Sequence, residues 1–202
     1  MDPELRRLAV VVIITLVVAV RLVAHSQAGG MLRDQSDGLE REGGVVVGIA
    51  LRLVFLVGGL GGLGVWIADP DALPGTIELP AAAQWAGLAV AEAGLILLIA
   101  VHLALGVHFS GTLHSPDDHR LVTSGPYARI RHPMYTSFLL LFAGFGLLTG
   151  NVPLMAVMFG SQAWVLGVRL RHEEAQLAER FADDWARYRS STGALVPRFG
   201  TR

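Results

Sequence analysis

The stretch WAGLAVAEAGLILLIAVHLALGV, Trp85 to Val107, decides the fold. A helix needs about 20 predominantly apolar residues to cross the hydrocarbon core of a bilayer, and this stretch has that length. Others like it flank it. One runs from Leu5 to Ala24, with Arg6 and Arg7 at its start and the polar run His25 to Gly44 after it. Its basic start and the small residues Ser26-Gln27-Ala28 also fit a signal peptide. Because the sequence opens at Met1, the stretch reads as a retained transmembrane helix. A further stretch, Val45 to Ala68, carries Arg52 and a glycine cluster and ends at Asp69-Pro70-Asp71, residues that break helices. Beyond a polar segment from Phe109 to His132 come two shorter apolar stretches, Tyr135 to Leu148 and Pro153 to Val168. Thr149-Gly150-Asn151-Val152-Pro153 between them predicts a tight turn joining antiparallel helices.

Composition agrees. The 202 residues are 52% hydrophobic, with a mean hydropathy of +0.51, more apolar surface than one soluble core of this size buries. The expected fold is therefore all-α: a polytopic membrane helix bundle of about five transmembrane helices. Residues 1–107 form its N-terminal helices and residues 108–202 a second half, in one integrated membrane domain. A net charge of −1 gives no sign of a nucleic-acid partner. Cysteine is absent, which excludes disulfides, thiolate metal ligands and a cysteine nucleophile.

All 16 basic residues are arginine, and their placement predicts orientation. If five stretches span, one face holds Arg21, Arg33, Arg41, Arg120, Arg129, Arg131 and the seven arginines from Arg169 to Arg202. The other holds Arg6 and Arg7, with Asp69, Asp71 and Glu78 in its longer loop. Basic residues gather on the cytoplasmic side, so both polar segments are expected to face the cytoplasm, from the plasma (inner) membrane.

After Val168 the pattern changes. Glu173, Leu177, Phe181 and Trp185 recur at intervals of four, with Tyr188 three further on, the stripe of an amphipathic C-terminal helix. Arg169 lies four residues before Glu173 and can pair with it.

Several patterns have plain explanations. Gly59-Leu60-Gly61-Gly62-Leu63-Gly64 has the GxGxxG spacing but lies in a membrane stretch rather than between a strand and a helix. Gly58 and Gly62 instead suit close helix packing. His102 and His108 are six apart, about 240° around a helix, and with His114 and His119 they form no known ligand pattern. Arg52 fits equally an anion site in a wet cavity or a side chain snorkelling to the interface.

The richest block is LVTSGPYARIRHPMY, Leu121 to Tyr135, followed about forty residues later by Glu173-Glu174. Gly125-Pro126 makes a turn, and Pro133 suits the first turn of a helix entering the membrane. His132 and Tyr135 are three apart and can point together into a pocket at the membrane surface. Arg131, His132 and Tyr135 equally suit an interfacial anchor belt, and spacing alone slightly favours that reading.

This block, with Phe109-Ser110-Gly111-Thr112 before it and Glu173-Glu174, Leu177, Phe181, Tyr188 and Val196-Pro197-Arg198 after it, resembles the isoprenylcysteine carboxyl methyltransferase family and its phospholipid-methyltransferase relatives. The resemblance runs from Leu105 to Phe199. It implies an integral membrane enzyme using S-adenosylmethionine on a lipophilic or lipid-linked acceptor that enters from the bilayer. By it, His132 and Tyr135 hold the cofactor's amino-acid end, Leu121, Val122, Gly125 and Tyr127 surround the adenosine, and Glu173, with Glu174, completes the pocket. The residue chemistry is compatible: carboxylates accept from hydroxyls and ammonium, His and Arg donate to carboxylate, and aromatic faces suit a sulfonium. As catalytic candidates, Arg169 or Arg131 can orient a substrate carboxylate or phosphate. The sequence departs from the family at Asp183-Asp184, where relatives commonly carry a glycine after the phenylalanine, and in how soon it ends after Pro197-Arg198. Two other readings compete: an NADPH-dependent sterol-reductase-like enzyme, which usually has an asparagine before the tyrosine where this chain has Met134, and a non-catalytic membrane scaffold.

Overall fold

The structure is a computed structural model that describes residues 1–27, 54–105 and 121–198. Expectations that fall on Val45 to Leu53 with Arg52, on Gly106 to Arg120 with His108, Phe109, His114 and His119, and on the side chain of Arg169 lie outside the described residues.

The described residues are helical, without a named strand. α1 covers Pro3–Gln27. Its start is fixed by Asp2, whose carboxylate accepts from the Glu4 and Leu5 N–H groups at 3.0 and 3.1 Å, with Pro3 in the first turn. The second apolar stretch is helical from Val54, wide-turned over Val54–Gly61 and then regular over Gly62–Ala68, which is α2. Arg7 closes the end of α2 by donating to the Ile67 carbonyl at 2.7 Å and the Ala68 carbonyl at 2.6 Å. Gly58 and Gly62 face the last helix: a Cβ on either would lie 3.2 Å from Val157 or Leu154. That is close packing and not a phosphate loop.

α3 is Ala81–Leu105 and α4 is Pro133–Thr149. They pack tightly because small residues meet. A Cβ on Gly144 would stand 2.6 Å from the Ala91 backbone nitrogen, and one on Gly94 2.9 Å from the Ser137 carbonyl. The expected turn follows. Gly150 takes φ 63° and ψ 7° and returns its N–H to the Gly146 carbonyl at 2.9 Å. Asn151 then caps α5, Val152–Ser191, by accepting from the Leu154 N–H at 2.9 Å. Its amide also donates to the Pro74 carbonyl and Thr76, tying the 69–80 loop to the turn. Val10, Ile13, Leu63, Trp66, Leu95, Leu98, Leu141, Phe145 and Leu148 make the shared core.

One expectation changes and another is met in part. The last apolar stretch and the amphipathic segment are one 40-residue helix, because neither proline nor a turn motif separates them. It bends at Ala182 (φ 39°, ψ −109°), so the stripe from Glu173 to Phe181 does not continue straight to Trp185 and Tyr188. And although all five apolar stretches are helical where described, two of the described helices, Pro3–Ala24 and Ala81–Leu105, are long and apolar enough to cross a membrane. The 17 residues of α4 reach only about 25 Å at 1.5 Å each. Both long helices leave large apolar side chains exposed, among them Leu8, Leu22, Ile96 and Leu103.

Candidate active site

α4 begins where the polar segment ends. His132 occupies the position before its first turn and Pro133 the first helical position. The backbone just before is held by the end of the chain. Residues 192–195 return from α5 and run beside 129–132, pairing Ile130 with Gly193. Arg131 N–H donates to the Gly193 carbonyl at 2.8 Å and His132 N–H to the Ala194 carbonyl at 3.0 Å. Thr136 donates its hydroxyl to the Leu195 carbonyl at 2.6 Å. Only glycine fits at 193, since a Cβ there would fall 1.8 Å from the Val196 carbonyl oxygen.

Against this frame α5 presents Glu173 and Glu174. Arg131 Nε donates to Glu174 Oε1 at 3.0 Å, while its terminal nitrogen donates to the Arg189 carbonyl at 3.2 Å and to that of Thr192. The guanidinium also lies over the Trp185 ring, 6.0 Å from the centroid. Tyr135 donates its hydroxyl to Glu173 Oε1 at 2.7 Å. His132 sits between the carboxylates, Nε2 at 3.3 Å from Glu174 Oε1 and Nδ1 at 3.6 Å from Glu173 Oε2. Its ring centroid is 5.9 Å from that of Tyr135.

Burial decides the charge state of His132. It pushes the imidazole below its ordinary value, against the opposing pull of Glu173 and Glu174. For Glu174 burial acts upward, but the Arg131 hydrogen bond and charge, with His132, outweigh it and hold the carboxyl below its usual range. The cluster at neutral pH is then an Arg131–Glu174 ion pair beside a neutral imidazole. A neutral imidazole donates from one nitrogen only. If Nε2–H serves Glu174, Nδ1 turns a lone pair toward Glu173, and two acceptors side by side suit the donors of an ammonium group.

The Gly125–Ala128 turn is pinned on both sides. Gly125, at φ 59°, faces Ala104 at the end of α3, and Tyr188 donates its hydroxyl to the Tyr127 carbonyl at 2.7 Å. Burial raises both phenols, that of Tyr188 to about 12, so both are neutral donors at ordinary pH. Leu121 and Val122 are half-buried ahead of this turn.

The geometry therefore brings together Arg131, His132, Tyr135, Glu173 and Glu174 from the sequence-derived set. Arg131, expected as a group for substrate, has its donors engaged by Glu174 and two carbonyls. Sequence reading missed the return segment at Gly193 and Ala194 and the support from Trp185, Tyr188 and Arg189. Gly193 directly after a polar helix was the available signal. Among the described residues no three His, Asp or Glu side chains gather as a metal site, and His102 bonds through Nδ1 to the Leu98 carbonyl at 2.8 Å.

The segment that carries this cluster has known relatives. The sequence profile of the isoprenylcysteine carboxyl methyltransferase (ICMT) family matches residues 86–179. A protein-S-isoprenylcysteine O-methyltransferase of Schizosaccharomyces pombe is 36% identical over 81 residues, 40% of this chain and 34% of the relative. That of Saccharomyces cerevisiae is 36% identical over 102 residues, 49% of this chain and 42% of the relative. A cobalt-zinc-cadmium resistance protein of Cupriavidus metallidurans is 38% identical over 78 residues, 39% of this chain and 36% of the relative. The chain thus spans between a third and just over two fifths of the length of these relatives. Residues 86–179, just under half of the chain, match the isoprenylcysteine carboxyl methyltransferase family profile, and this matched segment supplies Arg131, His132, Tyr135, Glu173 and Glu174.

Proposed function

We propose that this chain is an integral membrane methyltransferase that takes its methyl group from S-adenosylmethionine and transfers it, at the cytoplasmic face, to a lipophilic or lipid-linked acceptor. One observation carries the reading: Tyr135 and His132, at the N-terminal end of α4, converge on Glu173 and Glu174, some forty residues away on α5. The match of residues 86–179 to a methyltransferase family supports methyl transfer, and the exposed apolar faces of α1 and α3 support a bilayer partner.

The donor set fits the cofactor. Glu173 offers a carboxylate to an ammonium or to ribose hydroxyls, and neutral His132 adds a second acceptor beside it. Leu121, Val122, Gly125 and Tyr127 lie ahead of this pair and are the candidates to surround an adenosine. When bound, S-adenosylmethionine supplies an activated methyl group open to in-line displacement. No protein nucleophile is then needed. Tyr135 orients Glu173 through its hydroxyl, and the Arg131–Glu174 pair fixes His132 against the return segment. In this reading Arg131 is a positioning residue, and Arg169 is the remaining arginine of the pair for orienting an acceptor.

Thermal melting of the full chain in neutral detergent tests the proposal. S-adenosylmethionine at a hundred times its Kd should stabilise by about 2.7 kcal/mol, while NADPH should leave the midpoint unchanged. A rise with NADPH and none with S-adenosylmethionine would favour the reductase chemistry and overturn the proposal.

A further inference from the structure

Arg21 lies in the last turns of α1, inside the apolar span Pro3–Ala24 and outside the family-matched segment. It is half-buried and turned inward. Its terminal nitrogen is 3.8 Å from the Met134 sulfur, and its guanidinium lies over the Phe138 ring, 5.9 Å from the centroid. His102 of α3 is within electrostatic reach of it. Among the described residues no carboxylate pairs with it.

Arg6, at the other end of α1, lies over the Trp66 ring at 5.4 Å from its centroid, and two further arginines have polar partners. Arg7 caps two carbonyls of α2, and Arg131 holds Glu174. A thioether and a ring face are weak partners for five N–H donors, and a guanidinium among apolar helices is costly without an anion. Snorkelling would carry the group outward to the headgroups, whereas Arg21 points at the first turns of α4. Met134 stands between His132 and Tyr135 in the sequence, so the cation borders the cluster described above. From Phe138 a row of ring contacts runs on through Phe142 to Phe55 and Phe159, at 5.8–6.4 Å between centroids. A cationic head next to an aromatic row matches an amphipathic anion.

We propose that Arg21 is the anion-recognition residue of the acceptor subsite: it receives the carboxylate or phosphate of a lipophilic acceptor. The inference rests on the methyl-donor site proposed above. The same chemistry is carried by the cofactor's own carboxylate and by the headgroups of bulk anionic lipid, and the test separates these sources.

Full-length protein, Arg21→Gln and Arg21→Lys are placed in phosphatidylcholine nanodiscs. Radiolabelled dodecanoate is titrated with dodecan-1-ol as competitor, and S-adenosylmethionine is titrated separately. Arg21→Gln should weaken dodecanoate binding at least tenfold, Arg21→Lys less, and dodecan-1-ol should compete poorly. S-adenosylmethionine affinity should stay within twofold in both variants, which also reports that they are folded. Equal dodecanoate binding by parent and Arg21→Gln overturns the proposal. So does a loss of S-adenosylmethionine affinity in Arg21→Gln with helicity unchanged, which assigns the arginine to the cofactor. Abolition of dodecanoate binding by phosphatidylglycerol in the nanodisc overturns it as well, in favour of a bulk-lipid site. If the parent binds dodecanoate through Arg21 but not S-adenosylmethionine, the methyl-donor reading fails while the anion site stands.

Discussion

His132 is 7% exposed with a carboxylate on each side, and burial outweighs both in setting its charge. Its folded value lies below the ordinary one, so the unfolded chain takes up the proton first as pH falls. Stability from this group is complete above the unfolded value, about 6.5, and is lost as pH drops through it. Glu174, also lowered, contributes above the ordinary carboxylate range and loses its contribution at lower pH still, as its own folded value is passed. The melting midpoint in neutral detergent should therefore fall between pH 7 and pH 5, and His132→Gln should flatten that slope. An unchanged slope in the variant would place the acid sensitivity elsewhere. At this scale the sequence was informative: spacing brought His132 to Tyr135, and the family resemblance brought Glu173 and Glu174. It could not show that Arg131 spends its donors on Glu174 and on two carbonyls. Partners 43 residues apart leave no periodic trace.

Among the elements, α5 departs most from what its sequence suggests. Nothing between Val168 and Arg169 stops a helix, so one rod continues out of the apolar region and carries the paired glutamates with it. The bend comes later, at Ala182, where φ is positive and a side chain is strained. It lies between Phe181 and Asp183-Asp184, the pair at which the sequence departs from the glycine that relatives commonly carry after the phenylalanine. Strain of this kind costs about 1–3 kcal/mol, whereas glycine in a regular helix costs only about 1 kcal/mol relative to alanine. Ala182→Gly should then stabilise the protein by about 1 kcal/mol, seen as a higher melting midpoint. A lower midpoint would mean that the helix runs straight. The Thr149 to Pro153 turn was legible because it needs a residue at positive φ and a side-chain cap, which Gly150 and Asn151 supply. The bend has no such marker.

For the whole molecule, apolar length set the architecture: helices packed through Gly87, Gly94 and Gly144, with large apolar side chains turned outward. The number that span was less legible, because α4 is short and its partner α5 is only partly apolar. What the bundle accomplishes is to bring a polar helix start, a returning C-terminal segment and a pair of glutamates to one end. The central claim is that this end holds the methyl donor, with Glu173 as its carboxylate anchor. Glu179, on the same helix, is exposed and provides the internal control. Calorimetric titration of S-adenosylmethionine into the full chain and both variants in detergent, with helicity as the folding check, measures this directly. Losing a charged hydrogen-bond partner costs about 1.5–3 kcal/mol, so Glu173→Gln should bind roughly ten- to a hundredfold more weakly, and Glu179→Gln within about twofold of the parent. If Glu173→Gln binds S-adenosylmethionine as tightly as the parent does, the methyl donor does not sit at this cluster.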